Sequence, residues 1–334
     1  MPEERPGAAA VARSFGETLA ARVGERQSQI VLGLDPDPGA LWPGAEEPRR
    51  GGRGMAVADG AASPAQRAAC AVQAHCRALI DAAGPACVAV KPQLACFERL
   101  GAVGRHALEG VVRHAREAGL LVIADGKRGD IDVSARAYAQ ALFGGVRTPF
   151  GEVAGLGADM ATVNPLMGAD AVEPFVTAAR ASGAGVLALV RTSNPGAADV
   201  EDLELAGSPA AATGAGAGTV WERLAELVDE LGRPGVGASG LSDVGAVIGA
   251  TAPGHIARAR ELMPHAVFLL PGVGAQGGRV EDLRAAFAPG RAGGLVSASR
   301  SIVGAYTATG GDPARAARAE AERLRALAWA LGGR

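Results

Sequence analysis

The chain has 334 residues, 48% of them hydrophobic and 20% charged, which is enough to fill one large α/β core or two smaller ones and too apolar for broad disorder. Thirty-three basic residues against 35 acidic ones leave a formal net charge of −2, which argues against a general nucleic-acid binder. Acids near the start, no apolar run of membrane-spanning length, and four cysteines (Cys70, Cys76, Cys87, Cys96) without a CxxC pair predict a soluble, cytoplasmic protein with no secretion signal and no disulfide framework.

In chain order, residues 1–10 read as a disordered terminus and 14–25 as an extra N-terminal helix. A strand follows at 31–36. Gly, Pro and Arg crowd residues 38–63, which read as a loop insertion around an isolated Trp42. From residue 65 the pattern alternates. Helices are expected over 65–82, 103–118, 131–143, 170–183, 219–231 and 313–331. Strands are expected over 87–93, 120–127, 161–166, 185–194, 244–251, 266–272 and 293–299. The helix at 103–118 places Leu108, Val111, Val112 and Ala115 on one face. With 31–36 this makes eight strands, each followed by a helix and apolar on both faces, as strands are when helices cover a parallel sheet. The expectation is a single-domain (β/α)8 TIM barrel over 1–334, with a doubly wound open sheet as the competitor.

One compositional feature is sharper. Lys91 and Lys127 are the only lysines, and the other 31 basic residues are arginines. An ammonium is compact and gives up a proton more readily than a guanidinium. Functional groups of a barrel collect at the C-terminal ends of its strands, and both lysines fall there. Asp35 ends the first strand, Lys91 the second, and Asp125 and Lys127 the third. Two residues apart on a strand, Asp125 and Lys127 should project to the same side. Asp130 follows where the chain turns into the next helix. Such a network could be a salt-bridge cluster fastening the rim. It could equally keep one lysine protonated as a proton donor, since neighbouring carboxylates favour the charged form.

Anion-binding signals lie on the last two loops. PGVGAQGG at 271–278 has glycines whose N–H groups could enclose an anion, with Gln276 adding a side-chain contact. SASRSI at 297–302 offers Arg300 for a bidentate phosphate contact. Ser193 and Asn194 in RTSNPG could bond a planar base or ribose, or cap the loop. Thr162 and Asn164 raise the same choice. Arg128 is a gate or a rim cation. The five histidines match no metal pattern, and neither a first-strand GxGxxG nor a P-loop occurs.

LVIADGKRGDI at 121–131 carries Asp125-x-Lys127-x-x-Asp130 and strongly resembles the signature of orotidine 5'-phosphate decarboxylase. The likeness extends to GLDPDP at 33–38, VKPQLACFE at 90–98, NPLMG at 164–168, RTSNPG, PGVGAQGG and the Arg300 segment, most like the longer bacterial branch of that family. The resemblance implies a dimeric barrel that converts orotidine 5'-monophosphate to uridine 5'-monophosphate and CO2 without cofactor or metal. Asp35 and Lys91 would then hold the ribose and order the network, and Asp125 would face the substrate carboxylate. Lys127 would protonate ring carbon 6. Asp130 would reach across the dimer interface, Ser193 would contact the pyrimidine, and Gln276 and Arg300 would grip the phosphate. Ser134 stands where the family usually has Thr, keeping the hydroxyl for the ribose. A Schiff-base aldolase, a Mg2+-dependent sugar-phosphate decarboxylase and a non-catalytic nucleotide binder are the alternatives; no nucleic-acid or membrane partner is expected.

Overall fold

Eight parallel strands close into a barrel in the computed structural model, which describes residues 14–45, 62–206, 218–274 and 276–333. The strands are β1 (Ile30–Leu34), β2 (Ala89–Pro92), β3 (Leu121–Arg128), β4 (Met160–Val163), β5 (Gly185–Arg191), β6 (Val244–Ile248), β7 (Phe268–Leu270) and β8 (Gly294–Ala298). Each pairs with its sequence neighbour, and β8 pairs back onto β1 through Leu32 and Ala298. All eight expected strands are present, so the closed barrel holds over the open sheet. The expected terminus at 1–10, most of the 38–63 insertion and nearly all of the small-residue stretch after Ala206 lie outside the described residues. No described helix is long and apolar enough to cross a membrane.

Strand alternation sorts the core into two bodies. Ile30, Leu32, Val90, Val122, Ala124, Ala161, Val186 and Ala188 point outward and pack against the helices. Val31, Ala89, Leu121, Ile123, Met160, Leu187, Val247, Leu269 and Leu295 point inward and fill the barrel. Helix α1 (Phe15–Arg26) closes the N-terminal end, pushing Phe15, Leu19 and Val23 into that inner cluster. A capping box starts it: Glu17 N–H donates to Ser14 Oγ at 3.3 Å, and Ser14 N–H donates to the Glu17 carboxylate at 2.8 Å. With the bottom plugged by apolar side chains, the next inward positions, Lys91, Asp125 and Thr162, form a polar layer beneath the opposite mouth.

The outer layer holds α2 (Pro64–Ala83), α3 (Leu94–Glu98), α4 (Ala102–Glu117), α5 (Asp132–Leu142), α6 (Ala169–Ala181), α7 (Val220–Gly232), α8 (Pro253–Leu262), α9 (Arg300–Val303), α10 (Ala305–Thr309) and α11 (Pro313–Leu331). Two features depart from the expected alternation. Gly145–Thr148 and Gly151–Ala154 form an antiparallel hairpin between α5 and β4. The helix expected between β7 and β8 is replaced by three short 3₁₀ turns at Val280–Asp282, Arg284–Phe287 and Arg291–Gly293. The glycine loop takes the first part of that connection and Pro289-Gly290 ends the ten-residue run that follows it, which leaves room for short turns and little more.

A buried arginine compensates for the missing helix. Arg260 on α8 donates to the carbonyls of Met263 (3.0 Å), Ala266 (2.7 Å), Ala286 (2.8 Å) and Gly293 (3.1 Å), and its guanidinium carbon sits 3.8 Å from the Phe268 ring centroid. Arg260→Met keeps the apolar volume but removes the guanidinium donor from those carbonyls. We expect a loss of about 3 kcal/mol of unfolding free energy in denaturant titrations, with turnover per folded molecule unchanged. A variant as stable as the parent would show that Arg260 is dispensable.

Candidate active site

The polar layer at the barrel mouth is organised by one carboxylate. Asp125, with 5% of its side chain exposed, takes the Lys91 ammonium on Oδ2 and the Lys127 ammonium on Oδ1, the latter at 2.6 Å. Thr162 Oγ1 donates to Oδ1 at 2.9 Å, and Gln93 Nε2 donates to Oδ2 at 3.3 Å. Burial alone would raise the carboxyl's pKa, but the two ammonium groups outweigh it and hold the group at about 2. Lys91 is 9% exposed. Burial alone would lower its pKa, yet Asp125 and the nearby charge of Asp35 push it above the usual lysine value. Lys127 is 45% exposed, so its ammonium is anchored at Asp125 while open to the mouth.

The local backbone explains how Lys127 gets there. β3 slips register between Ala124 and Arg128, and Lys127 adopts φ +47°, a left-handed conformation that a side chain favours little. Its N–H leaves the ladder and donates to Thr162 Oγ1 at 2.9 Å. Asp125 and Lys127 therefore share a side as expected, but a bulge delivers the lysine and regular alternation does not. Thr162, 1% exposed, binds both ends of this turn and belongs to the site, where sequence left its role open. Gln93 was legible only as part of the KPQ block.

The remaining expected residues occupy the same rim without joining that cluster. Asp35 follows β1 and is exposed. Asp130 is half-buried, and its Oδ1 accepts the Ile131 N–H at 2.8 Å. Ser134 lies exposed in the first turn of α5. Arg128 is a rim cation, paired with Glu98 and 5.3 Å from the Tyr138 ring centroid. Among the described residues no group of three or more His, Cys, Asp or Glu side chains is placed to hold a metal ion.

Across the mouth, over β5–β7, a cavity of about 320 Å³ is lined by Ser193, Asn194, Thr251, His255 and Gln276 among others. Its β5 wall is clamped from below. Arg191 makes a bidentate contact to Asp202 (2.7 and 2.8 Å), and Glu201 accepts the N–H of Thr192 at 2.8 Å. Asn194 Oδ1 takes the Thr192 hydroxyl at 2.8 Å, so its carbonyl is spent on the loop, while Ser193 lines the cavity. Gly272 has φ +101°, and a Cβ there would meet Gln276 Oε1 at 2.8 Å; glycine is what lets Gln276 fold back to the cavity. The expected cradle of backbone donors is smaller than its glycines suggest. The N–H groups of Gly274, Gly277 and Gly278 bond within the loop, while Gln276 lines the cavity. Arg300 opens α9 beside it, exposed and in no ion pair among the described residues.

Comparison with known proteins places this arrangement. A family model described as orotidine 5'-phosphate decarboxylase / HUMPS family matches residues 28–319. The chain is 43% identical over 241 residues to orotidine 5'-phosphate decarboxylase of Rhodopirellula baltica, covering 71% of this chain and 74% of the relative. It is 38% identical over 290 residues to the protein of that name from Deinococcus radiodurans, covering 86% and 89%. The structure of Leishmania donovani OMP decarboxylase superposes with a TM-score of 0.65 at 28% identity, covering 95% of this chain and 99% of that one.

The Asp125 pairing carries a pH signature of its own. A carboxyl depressed to about 2 when folded contributes stability that is present above its unfolded pKa and lost as pH falls through the folded value. The unfolding free-energy gap between the parent and Asp125→Asn should be flat at neutral pH and shrink by about 2 kcal/mol between roughly pH 4 and pH 2. Denaturant titrations across that range check it, and a constant gap would contradict the assignment.

Proposed function

The chain belongs to the orotidine 5'-phosphate decarboxylase / HUMPS family and is a carboxy-lyase of that family; from this premise we propose that it converts orotidine 5'-monophosphate to uridine 5'-monophosphate and CO2, with Lys127 as the proton donor. The observation that carries the reading is the Lys127 ammonium, fastened to a buried carboxylate and open to the mouth. The bond between ring carbon 6 and the carboxylate breaks, and its electron pair stays on carbon 6. A preorganised ammonium stabilises that developing charge and then delivers its proton to the same carbon. The neutral amine left behind regains a proton from solvent. Asp125 stays ionised beside the departing carboxylate, so its repulsion is relieved as CO2 leaves neutral.

Within this reading Asp35, Lys91 and Ser134 hold the ribose, Ser193 and the Asn194 loop meet the pyrimidine, and Gln276 and Arg300 take the phosphate. Phosphate binding far from the reacting carbon lends energy to the chemical step. The reading includes no cofactor or metal, and the pathway is de novo pyrimidine synthesis in the cytoplasm. It also includes a homodimer in which Asp130 enters the neighbouring site. Ile131, Val133 and Tyr138 on and before α5 leave apolar area exposed beside Asp130, with Leu166 and Met167 exposed on the loop after β4.

Lys127→Ala should lower turnover of orotidine 5'-monophosphate by about 10⁴-fold or more in a continuous absorbance assay, while uridine 5'-monophosphate still binds. Near-parental turnover, or covalent trapping of substrate on Lys127 by borohydride, would sink the mechanism. Mixing Lys127→Ala with Asp130→Asn chains tests the dimer: hybrids should recover about a quarter of the parental sites. No recovery under exchange conditions would place Asp130 in its own chain's site.

A further inference from the structure

We propose that Trp42 is a positioning residue: it straps the loop that begins at Asp35 onto the turn that presents Arg300, and so fixes the span between the ribose and phosphate ends of the site. This rests on the reading of Arg300 as a phosphate contact. The role of the segment after residue 38 was open in the sequence, and Trp42 read as an isolated aromatic in a loose insertion. In the structure it is 6% exposed and joined to two other elements. Its indole Nε1–H donates to the carbonyl of Val303, the last residue of α9, at 2.9 Å. Its backbone N–H donates to Nδ1 of His75 on α2 at 3.1 Å, and the two rings meet edge to face with centroids 5.4 Å apart.

The start of the same loop is pinned to the other side of the mouth. Arg99 donates to the Pro36 carbonyl and approaches Asp37 at 3.7 Å. The Gln93 N–H bonds Leu34 at 3.0 Å. The loop is thus held at the β2 side by Arg99 and at the β8 side by Trp42, with Asp35 at its start. Beneath it β1 and β8 touch closely, since a Cβ on Gly33 would lie 2.6 Å from Ser299 Cβ. α9 is a single turn, closed by Val303 N–H to Ser299 (2.9 Å) and Gly304 N–H to Arg300 (2.9 Å), too short to hold its own orientation. The buried Ile302 side chain and the Trp42 indole donor together supply it. His75 suits the anchor: burial pulls its imidazole pKa down to about 4, so the ring is neutral at physiological pH and Nδ1 keeps the lone pair that Trp42 requires.

Binding of uridine 5'-monophosphate and of uridine separates this role from packing. Trp42→Phe keeps a ring in place and removes the indole donor. We expect it to weaken the nucleotide about five- to tenfold and leave uridine unchanged. In an Arg300→Ala background the same substitution should change nothing further. His75→Leu should reproduce the loss, and His75→Asn, whose amide oxygen can replace Nδ1, should restore affinity. Equal weakening of both ligands, or a Trp42→Phe effect that adds in full to Arg300→Ala, would overturn the proposal and leave Trp42 a core residue. If Arg300→Ala alone fails to alter the nucleotide-to-nucleoside ratio, the phosphate assignment itself fails and the inference falls with it.

Discussion

A single buried carboxylate with an ammonium on each oxygen is the contact from which the mouth of this barrel is built. Taking Asp125 and Lys91 out of water is costly, and the attraction between them offsets that cost only when geometry is good and the remaining lone pairs are satisfied. Both conditions are met at Asp125, where Thr162 and Gln93 occupy what Lys91 and Lys127 leave. The two lysines then differ in exposure. Lys91 is enclosed and fixed, whereas Lys127 keeps access to the mouth. An ammonium held by a buried carboxylate and still open to the mouth has the access that proton transfer needs.

The barrel supplies that geometry through its inward columns. Leu121 and Ile123 lie below Asp125, Ala89 below Lys91, and Met160 below Thr162. Each polar group of the layer stands on an apolar one, which excludes water from beneath and raises the strength of the ion pairs above. Where the chain departs from regular strand or helix, side-chain donors to backbone carbonyls take over: Arg260 below the β7–β8 connection, Arg99 on the first loop, and Trp42 between that loop and α9. These donors answer the same requirement, that buried carbonyls outside helix and sheet still need partners.

Much of this was legible in the chain. Eight apolar runs at strand length, separated by amphipathic segments, favour a closed parallel barrel over an open sheet because periodicity reports burial directly. Two lysines among 33 basic residues marked the polar layer at the mouth, because the chain otherwise meets its need for positive charge with arginine. The hairpin at 145–154 was not legible, being two short and mostly exposed strands with no apolar alternation to read. Nor was the missing helix before β8, whose apolar residues could as well have turned helically. Asp125 and Lys127 were brought together by an argument from alternation that the bulge in β3 replaces.

Local pattern thus determined by itself where the eight barrel strands would lie and which charged groups would reach the rim. Tertiary structure decided what no local pattern encodes. It placed Thr162 and Gln93 on Asp125, turned Lys127 through a left-handed backbone, and made a buried tie of Trp42. Each of these depends on an atom from another strand or helix arriving within hydrogen-bond reach, and that proximity exists only once the barrel has closed.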